Sequence, residues 1–379
     1  MLFRSTSTFH DSGATRICKA KSNLKKRLAK ETSSQSSTSN VAASMLDGSA
    51  LLWVVHWPAK GVIADFVENF KGFLLKKLLE SDVYLIFDRY REYSTKSVTR
   101  DARTCEASKV YQLSENTPLP SQKAVLTVSS NKKQLMSIIC SSIINDEEFH
   151  AQHTNRNKLV ITGSHDVPTK IHKGVIARED IATSHEEADN SIAQQAIMCA
   201  KEHSVATAVV ADDTDVFILL LFHYLNERLT CPMFMISPIQ QRARIDMKAT
   251  VQTHRSIIPG LQAAHALSGC DTVPTYFGIG KGTVWKNLIA APNSLSLLGC
   301  PDAPLSDIVD QATKFIGACY GNRVGGETMS DIRYKIWTTK FGNTATSTPK
   351  IQALPPTTEA FIENVKRFAQ SNLRQPTEL

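Results

Sequence analysis

The stretch VVADDTDVFILLLF, Val209 to Phe222, sets three aspartates, Asp212, Asp213 and Asp215, inside an otherwise apolar run. A carboxylate at the edge of a core is costly unless it is paired, metal-bound or protonated. The residues just before, ATAVVA (Ala206–Ala211), have the composition of a buried strand, and VFILLLF (Val216–Phe222) reads as a packed element behind the acids. The acids therefore stand at the carboxyl end of a strand.

Working outward, the same grammar recurs. LDGSALLWVV (Leu46–Val55) reads as a buried strand running into a loop or helix, with Asp47 at its edge. VIADFVENFKGFLLKKLLE (Val62–Glu80) repeats apolar residues at helical spacing, and DVYLIFD (Asp82–Asp88) is β-rich and ends in a carboxylate. Strand, helix, strand at this spacing makes a βαβ unit and predicts a parallel sheet. Further along, KAVLTV (Lys123–Val128) reads as a strand, QLMSIICSSII (Gln134–Ile144) as a helix, NDEEFHAQHTNRN (Asn145–Asn157) as a loop and KLVITG (Lys158–Gly163) as a strand. SHEEADNSIAQQAIMCAKEH (Ser184–His203) opens with a capping box, Ser184 and Glu187, and predicts a helix. A helix is expected around Gly260–Leu267, and LPPTTEAFIENVKRFAQ (Leu354–Gln370) is a proline-led helix.

The expected fold class is α/β: a mainly parallel twisted sheet flanked by helices, with a C-terminal, mainly helical extension. Residues 1–44 read as a disordered tail, basic at Lys19–Lys30 and then Ser/Thr-rich; 45–300 read as the main domain and 301–379 as the extension. The basic piece suits a nuclear signal or a nucleic-acid arm as well as it suits a solvated helix end.

Composition narrows the class. Hydrophobic content of 42% and charged content of 21% are those of a globular protein. The longest apolar run, Val216 to Phe222, falls far short of the roughly 20 residues that span a bilayer, and MLFRSTSTFHDSG lacks the apolar centre of a signal peptide. A non-secreted, non-membrane protein of nucleus or cytoplasm is expected. The eight cysteines contain no C-x-x-C pair, which argues for reduced thiols and against structural zinc. A net charge of +7 permits a polyanionic partner without requiring one.

In an open parallel sheet the functional edge is the carboxyl ends of the strands. Asp47, Asp88, Asp213 and Asp215 all fall there, with Glu187 and Asp189 in the first turn of a helix and Asp271 after a helix. Converging carboxylates raise one another's pKa, and hard divalent cations offset that repulsion. Two such ions about 3.5–4 Å apart stabilise attacking and leaving oxygens in phosphodiester cleavage.

The same acids in the same order resemble the flap endonuclease and XPG-type nucleases of the PIN-like group. The motifs are Asp47 in LDGSA, Asp88 in LIFD, Glu187 with Asp189 in HEEAD, Asp213 and Asp215 in DDTD, and Asp271 in SGCD followed by GIGKG. Asp189 stands where the family more often has Glu, and Glu186 and Asp212 are alternatives to their neighbours. The segments DGSALLW, DVYLIFDRY, DDTDVF, HALSGCDTV and GIGKGT also resemble transposon-like animal proteins with a PIN-like domain. The resemblance implies a two-metal site for Mg²⁺ or Mn²⁺ held by Asp47, Asp88, Glu187, Asp189, Asp213, Asp215 and Asp271. It implies a basic arch after Asp88, in which Lys96, Arg100 and Arg103 steer the scissile phosphate. It also implies a hairpin, Gly278, Gly280, Lys281 and Gly282, that grips nucleic-acid backbone, with DNA the expected partner over RNA. The reading that follows is a metal-dependent, structure-selective nuclease. A PIN-like binding module without catalysis and a phosphatase for small phosphate esters are the alternatives.

Overall fold

The computed structural model describes residues 8, 16–18, 20–32, 41–89, 109–163, 167–182, 187–203, 206–239, 243–270, 273–300, 302–322, 326–342 and 350–373. The chain divides into two compact units, residues 29–252 and residues 1–28 with 253–379.

The first unit is built on a nine-stranded sheet. Its strands are β1 (Glu31–Thr32), β2 (Val41–Asp47), β3 (Asp82–Ile86), β4 (Leu159–Thr162), β5 (Thr169–Ile171), β6 (Val175–Ala177), β7 (Ala206–Val210), β8 (Met233–Ile236) and β9 (Arg244–Asp246). They lie in the order β1-β9-β8-β7-β2-β3-β4-β5-β6. The five central strands, from β8 to β4, are parallel; β9 and β1 at one edge and β5 and β6 at the other are antiparallel. This is the expected α/β architecture. β3, β4 and β7 are buried along almost their whole length because both faces are covered, and they are mostly apolar apart from Asp82, Thr162 and Thr207.

On one face lie α2 (Gly48–Val54), α3 (Ile63–Leu78), α4 (Gln122–Leu126) and α5 (Ser129–Ile144). Helix α3 turns Ile63, Phe66, Val67, Phe70, Leu74 and Leu78 inward, at the spacing read from its sequence. These pack with Leu46, Val83 and Leu85 of the strands and with Leu135 and Ile139 of α5. On the other face α7 (Ala188–His203) crosses β2, β7 and β3 and packs on α8 (Thr214–Asn226).

Phe87, just past β3, is wedged into the first core, its ring 6.3 Å from that of Phe70. Glycine is needed on both sides of it. A Cβ on Gly48 would lie 2.5 Å from the Phe87 ring, and one on Gly163, at φ 115°, would lie 2.4 Å from the Phe87 carbonyl oxygen.

Three expectations are corrected. Lys123–Val128 is not a strand: Gln122–Leu126 form α4, opened by Ser121, whose hydroxyl accepts from the Ala124 amide at 3.4 Å. A short apolar run fits either period, and packing against α2 and α5 decides it. The loop read at 145–157 contains helix α6 (Glu147–His153), capped by Asp146, which accepts from the Phe149 amide at 2.8 Å. The tail read at 1–44 contains helix α1 (Ser22–Leu28), which buries Leu24 and Leu28, as well as β1 and the start of β2. The rest of that tail lies largely outside the described residues.

The second unit is helical. With α1 it contains α10 (Ile258–Leu267), α11 (Lys281–Ala290), α12 (Leu305–Cys319), α13 (Met329–Gly342) and α14 (Thr358–Leu373); α9 (Met247–His254) ends at the junction. Along the chain the two units meet between Gln252 and Thr253. Tyr276, fully buried, accepts a hydrogen bond from Asn364 of α14 at 3.0 Å and packs on Phe361.

Because Phe87 fills the space beside Gly48, Gly48→Ala is expected to overpack the core, at a cost of about 1–3 kcal/mol. A denaturant midpoint equal to that of the wild type would show that Phe87 can move aside.

Candidate metal centre

The parallel register decides where the acids end up. Asp47 pairs with Ile86 and Leu46 pairs with Val210, so the ends of β2, β3 and β7 lie at one level. From β2 the chain continues to neighbouring strands on one side, and β7 and β8 fill the other. The carboxyl ends of β2 and β7 thus flank the point where strand order reverses, the place where open α/β sheets form a crevice.

Each acid is held by local backbone chemistry. Asp47 caps α2, accepting from the Ala50 amide at 3.0 Å. Asp88 accepts from the Ser49 hydroxyl at 2.9 Å through one oxygen and from the Ala188 amide, at the start of α7, at 3.2 Å through the other. Asp213 caps α8, accepting from the Asp215 amide at 2.8 Å. The N-termini of α2, α7 and α8 thus meet the acid cluster, and the positive ends of their dipoles favour negative charge there. Lys132 of α5 adds a cation 3.9 Å from Asp88.

The charge is not fully offset. Asp47 is pushed up to about 6, first by loss of hydration and then by repulsion from Asp88 and Asp213, against the Ala50 bond and the Lys132 ammonium. Asp189, Asp213 and Asp215, all half-buried, each place one oxygen within 4.8 Å of the others. A single hard cation with bonds of roughly 2.0–2.4 Å spans ligand oxygens about 3–4.8 Å apart, so the donor set fits one divalent ion. Asp47 and Asp88 extend the acidic surface beside it.

Of the expected ligands, the structure brings Asp47, Asp88, Asp189, Asp213 and Asp215 to this site. Glu187 immediately precedes α7, but the three-acid set contains Asp189 and not Glu187. Asp212 accepts from the Ser237 hydroxyl at 2.7 Å, and the cluster includes its neighbour Asp213 instead. Asp271, Glu186, Lys96, Arg100 and Arg103 lie outside the described residues.

The hairpin reading changes at Lys281. Gly278 has φ 78° and Gly280 caps α11, as a tight turn into a helix requires. Gly282 approaches the Arg27 guanidinium. The Lys281 ammonium, however, is buried and donates to the His265 carbonyl at 2.5 Å, the Gly269 carbonyl at 2.6 Å and the Ser268 hydroxyl at 2.9 Å. It satisfies the carbonyls left open at the end of α10. A lysine used this way does not present its charge to a phosphate. Sequence reasoning also missed Ser49 and Lys132. Ser49 was legible two residues after Asp47; Lys132 carries no local signal, because α5 reaches the site only through tertiary packing.

No protein-family model and no curated protein matches this chain. Among solved structures it is similar to the flap endonuclease of bacteriophage T5, solved as a pseudo-enzyme–product complex with DNA and metal ions. The identity is 13% and the TM-score 0.39, over 87% of this chain and 99% of that one.

Two outcomes test this description. Lys281→Ala is expected to destabilise the second unit by about 1–3 kcal/mol, since it orphans buried acceptors. An unchanged melting temperature together with a flatter salt dependence of nucleic-acid binding would restore Lys281 as a phosphate contact. For Asp47, the folded carboxyl near 6 against an ordinary value of 3.8 takes a proton more readily than the unfolded one. Its contribution to stability is complete below about pH 4 and is lost as pH rises through about 6. In metal-free buffer the wild type is expected to lose on the order of 2 kcal/mol relative to Asp47→Asn across that window. A stability difference that stays flat with pH would show that Asp47 remains hydrated.

Proposed function

We propose that this chain is a metal-dependent, structure-selective nuclease that hydrolyses nucleic-acid phosphodiesters, with Mg²⁺ or Mn²⁺ as its cofactor. The observation that carries the reading is the convergence of acids from the ends of β2, β3 and β7 with the first turn of α7 at one switch-point crevice. A merely structural set of acids would be dispersed among separate helix caps. Here the caps of α2 and α8 and the acid beside α7 share one electrostatic environment.

Asp189, Asp213 and Asp215 would hold one ion, and Asp47 with Asp88 would hold or orient a second. Bound divalent cations supply Lewis acidity toward a phosphodiester and its attacking water. The chain's own groups do the positioning. Ser49 and the α7 amide fix the Asp88 carboxylate. Lys132 lies beside Asp88 and supplies a cation where phosphate charge would collect. Trp53 is 48% exposed one helical turn beyond Ser49 on α2 and offers a ring for a base to stack on. Lys96, Arg100 and Arg103 would steer the phosphate, with Arg103 and the glycine backbone at Gly278, Gly280 and Gly282 contacting the nucleic-acid backbone. Asp271 and Glu187 remain part of the proposed ligand set. DNA is the preferred substrate in this reading. A mobile-element origin, and action in the nucleus or cytoplasm, belong to the same reading. Among the described residues no helix is long and apolar enough to cross a membrane.

Labelled flap, hairpin and single-stranded substrates, incubated with Mg²⁺ or Mn²⁺ and with EDTA, test the proposal. Metal-dependent cleavage is expected. Asp213→Asn should lower the rate by more than about 100-fold, while Asp212→Asn should retain most of it. Equal loss in both variants would misplace the ion, and no cleavage by wild type on any substrate would leave the binding-module reading.

A further inference from the structure

The basic segment at Lys19–Lys30 contains a docked helix. Within it α1 buries Leu24 and Leu28, one turn apart, and packs on α11 of the same unit. That anchoring leaves Lys26 and Arg27 exposed. It also carries the Arg27 guanidinium onto the first turn of α11, where a Cβ on Gly282 would lie 3.1 Å from its Nη2. Glycine at 282 is what lets a residue from near the start of the chain come this close. Lys286 is exposed one turn further along α11, on the stripe that Gly282 begins.

The charge on this face is not balanced from within. Neither residues 16–30 nor residues 273–300 contain an Asp or a Glu. Other cations of the chain have acidic partners: Lys71 pairs with Asp146, Lys201 with Glu227 and Lys335 with Glu327. Among the described residues Arg27 and Lys286 make no hydrogen bond or ion pair. Arg27 is moreover held against the first turn of a helix, whose dipole is positive there, so like charges are brought together. A bound anion relieves that repulsion. The nearby Trp285 ring is turned onto His254, with centroids 5.3 Å apart, so the face offers charge and not an open ring for a base. Gly282 and Lys286 are separated by about 6 Å of helix, and each strand of a duplex presents a phosphate about every 3.4 Å of its axis. Two cations at that spacing reach phosphates of one strand, and a duplex, with its bases covered, asks for nothing else.

We infer that Arg27 of α1 and Lys286 of α11 bind the phosphate backbone of duplex nucleic acid, which makes the N-terminal basic helix part of a binding face of the helical unit. The inference rests on the nucleic-acid substrate proposed above. It adds the side chains that supply positive charge beside the glycine turn, where Lys281 is turned inward. Phosphate contacts fix position on the duplex and carry no sequence preference.

The test uses the full chain in EDTA, with fluorescence anisotropy on a labelled DNA duplex over a salt series from about 50 to 200 mM. Arg27→Gln and Lys286→Gln remove one exposed charge each, and melting temperatures equal to that of wild type check that the fold is retained. Each is expected to weaken duplex binding by roughly 3- to 10-fold at low salt and to reduce the log–log salt slope by about 1. Arg27→Lys keeps the charge and should stay within about threefold of wild type. Lys366→Gln, which removes a charge of the same unit that is paired with Glu363, should leave the slope unchanged. Arg27→Gln and Lys286→Gln proteins with wild-type affinity and slope overturn the inference, even where wild type cleaves with metal. A loss no larger than that of Lys366→Gln reports net charge alone and overturns it too, as does a wild type that binds no duplex. Polyglutamate that displaces the duplex as well as unlabelled duplex does assigns the face to an acidic protein, which also overturns it. Wild type that cleaves nothing, while Arg27→Gln still loses affinity and slope, removes the nuclease reading and keeps the phosphate contact.

Discussion

Everything at the candidate site depends on parallel strands ending at one level. The pairing of Asp47 with Ile86 and of Leu46 with Val210 brings Asp47, Asp88 and the DDTD turn together. The sheet then has like charges at the carboxyl edge of its most buried strands. Helix N-termini, the Lys132 ammonium and hydrogen bonds from Ser49, Ala50 and Ala188 offset part of that charge. What remains is visible in Asp47, which is held near 6 by lost hydration and by its neighbours. A site that stays short of positive charge in this way is suited to a divalent cation.

The core behind the site shows how that repulsion is tolerated. Phe87 sits directly before Asp88 and is closed in by Gly48, which directly follows Asp47. Two acids at the ends of different strands are thus tied through one aromatic contact. Packing at interior density allows little relaxation, so the acids cannot drift apart to relieve their charge. Strain at the edge is resisted by apolar burial across α3, α5 and the strands.

Buried polar groups in the helical unit obey the same accounting. Lys281 reads on paper as a phosphate-binding lysine in a glycine-rich turn. In the fold its ammonium completes the hydrogen bonding of the α10 terminus, because buried carbonyls without partners cost more than a surface lysine gains. The glycine turn remains, but its lysine has structural work.

Periodicity and residue chemistry alone determined the α/β class, the helix at 63–78, the strands ending in Asp47, Asp88 and DDTD, and the idea that these acids share a metal. Those features are local: burial on two faces makes strands apolar throughout, and a strand end is where the next charged residue can stand. Tertiary structure decided the rest. It made Lys123–Leu126 helical, folded part of the N-terminal segment into helix and strand, and grouped Asp213, rather than Asp212, with Asp189 and Asp215. It also brought Lys132 to Asp88 and turned Lys281 inward. Each of these depends on partners distant in sequence, and neither hydrogen-bond satisfaction nor charge proximity can be read from spacing along the chain.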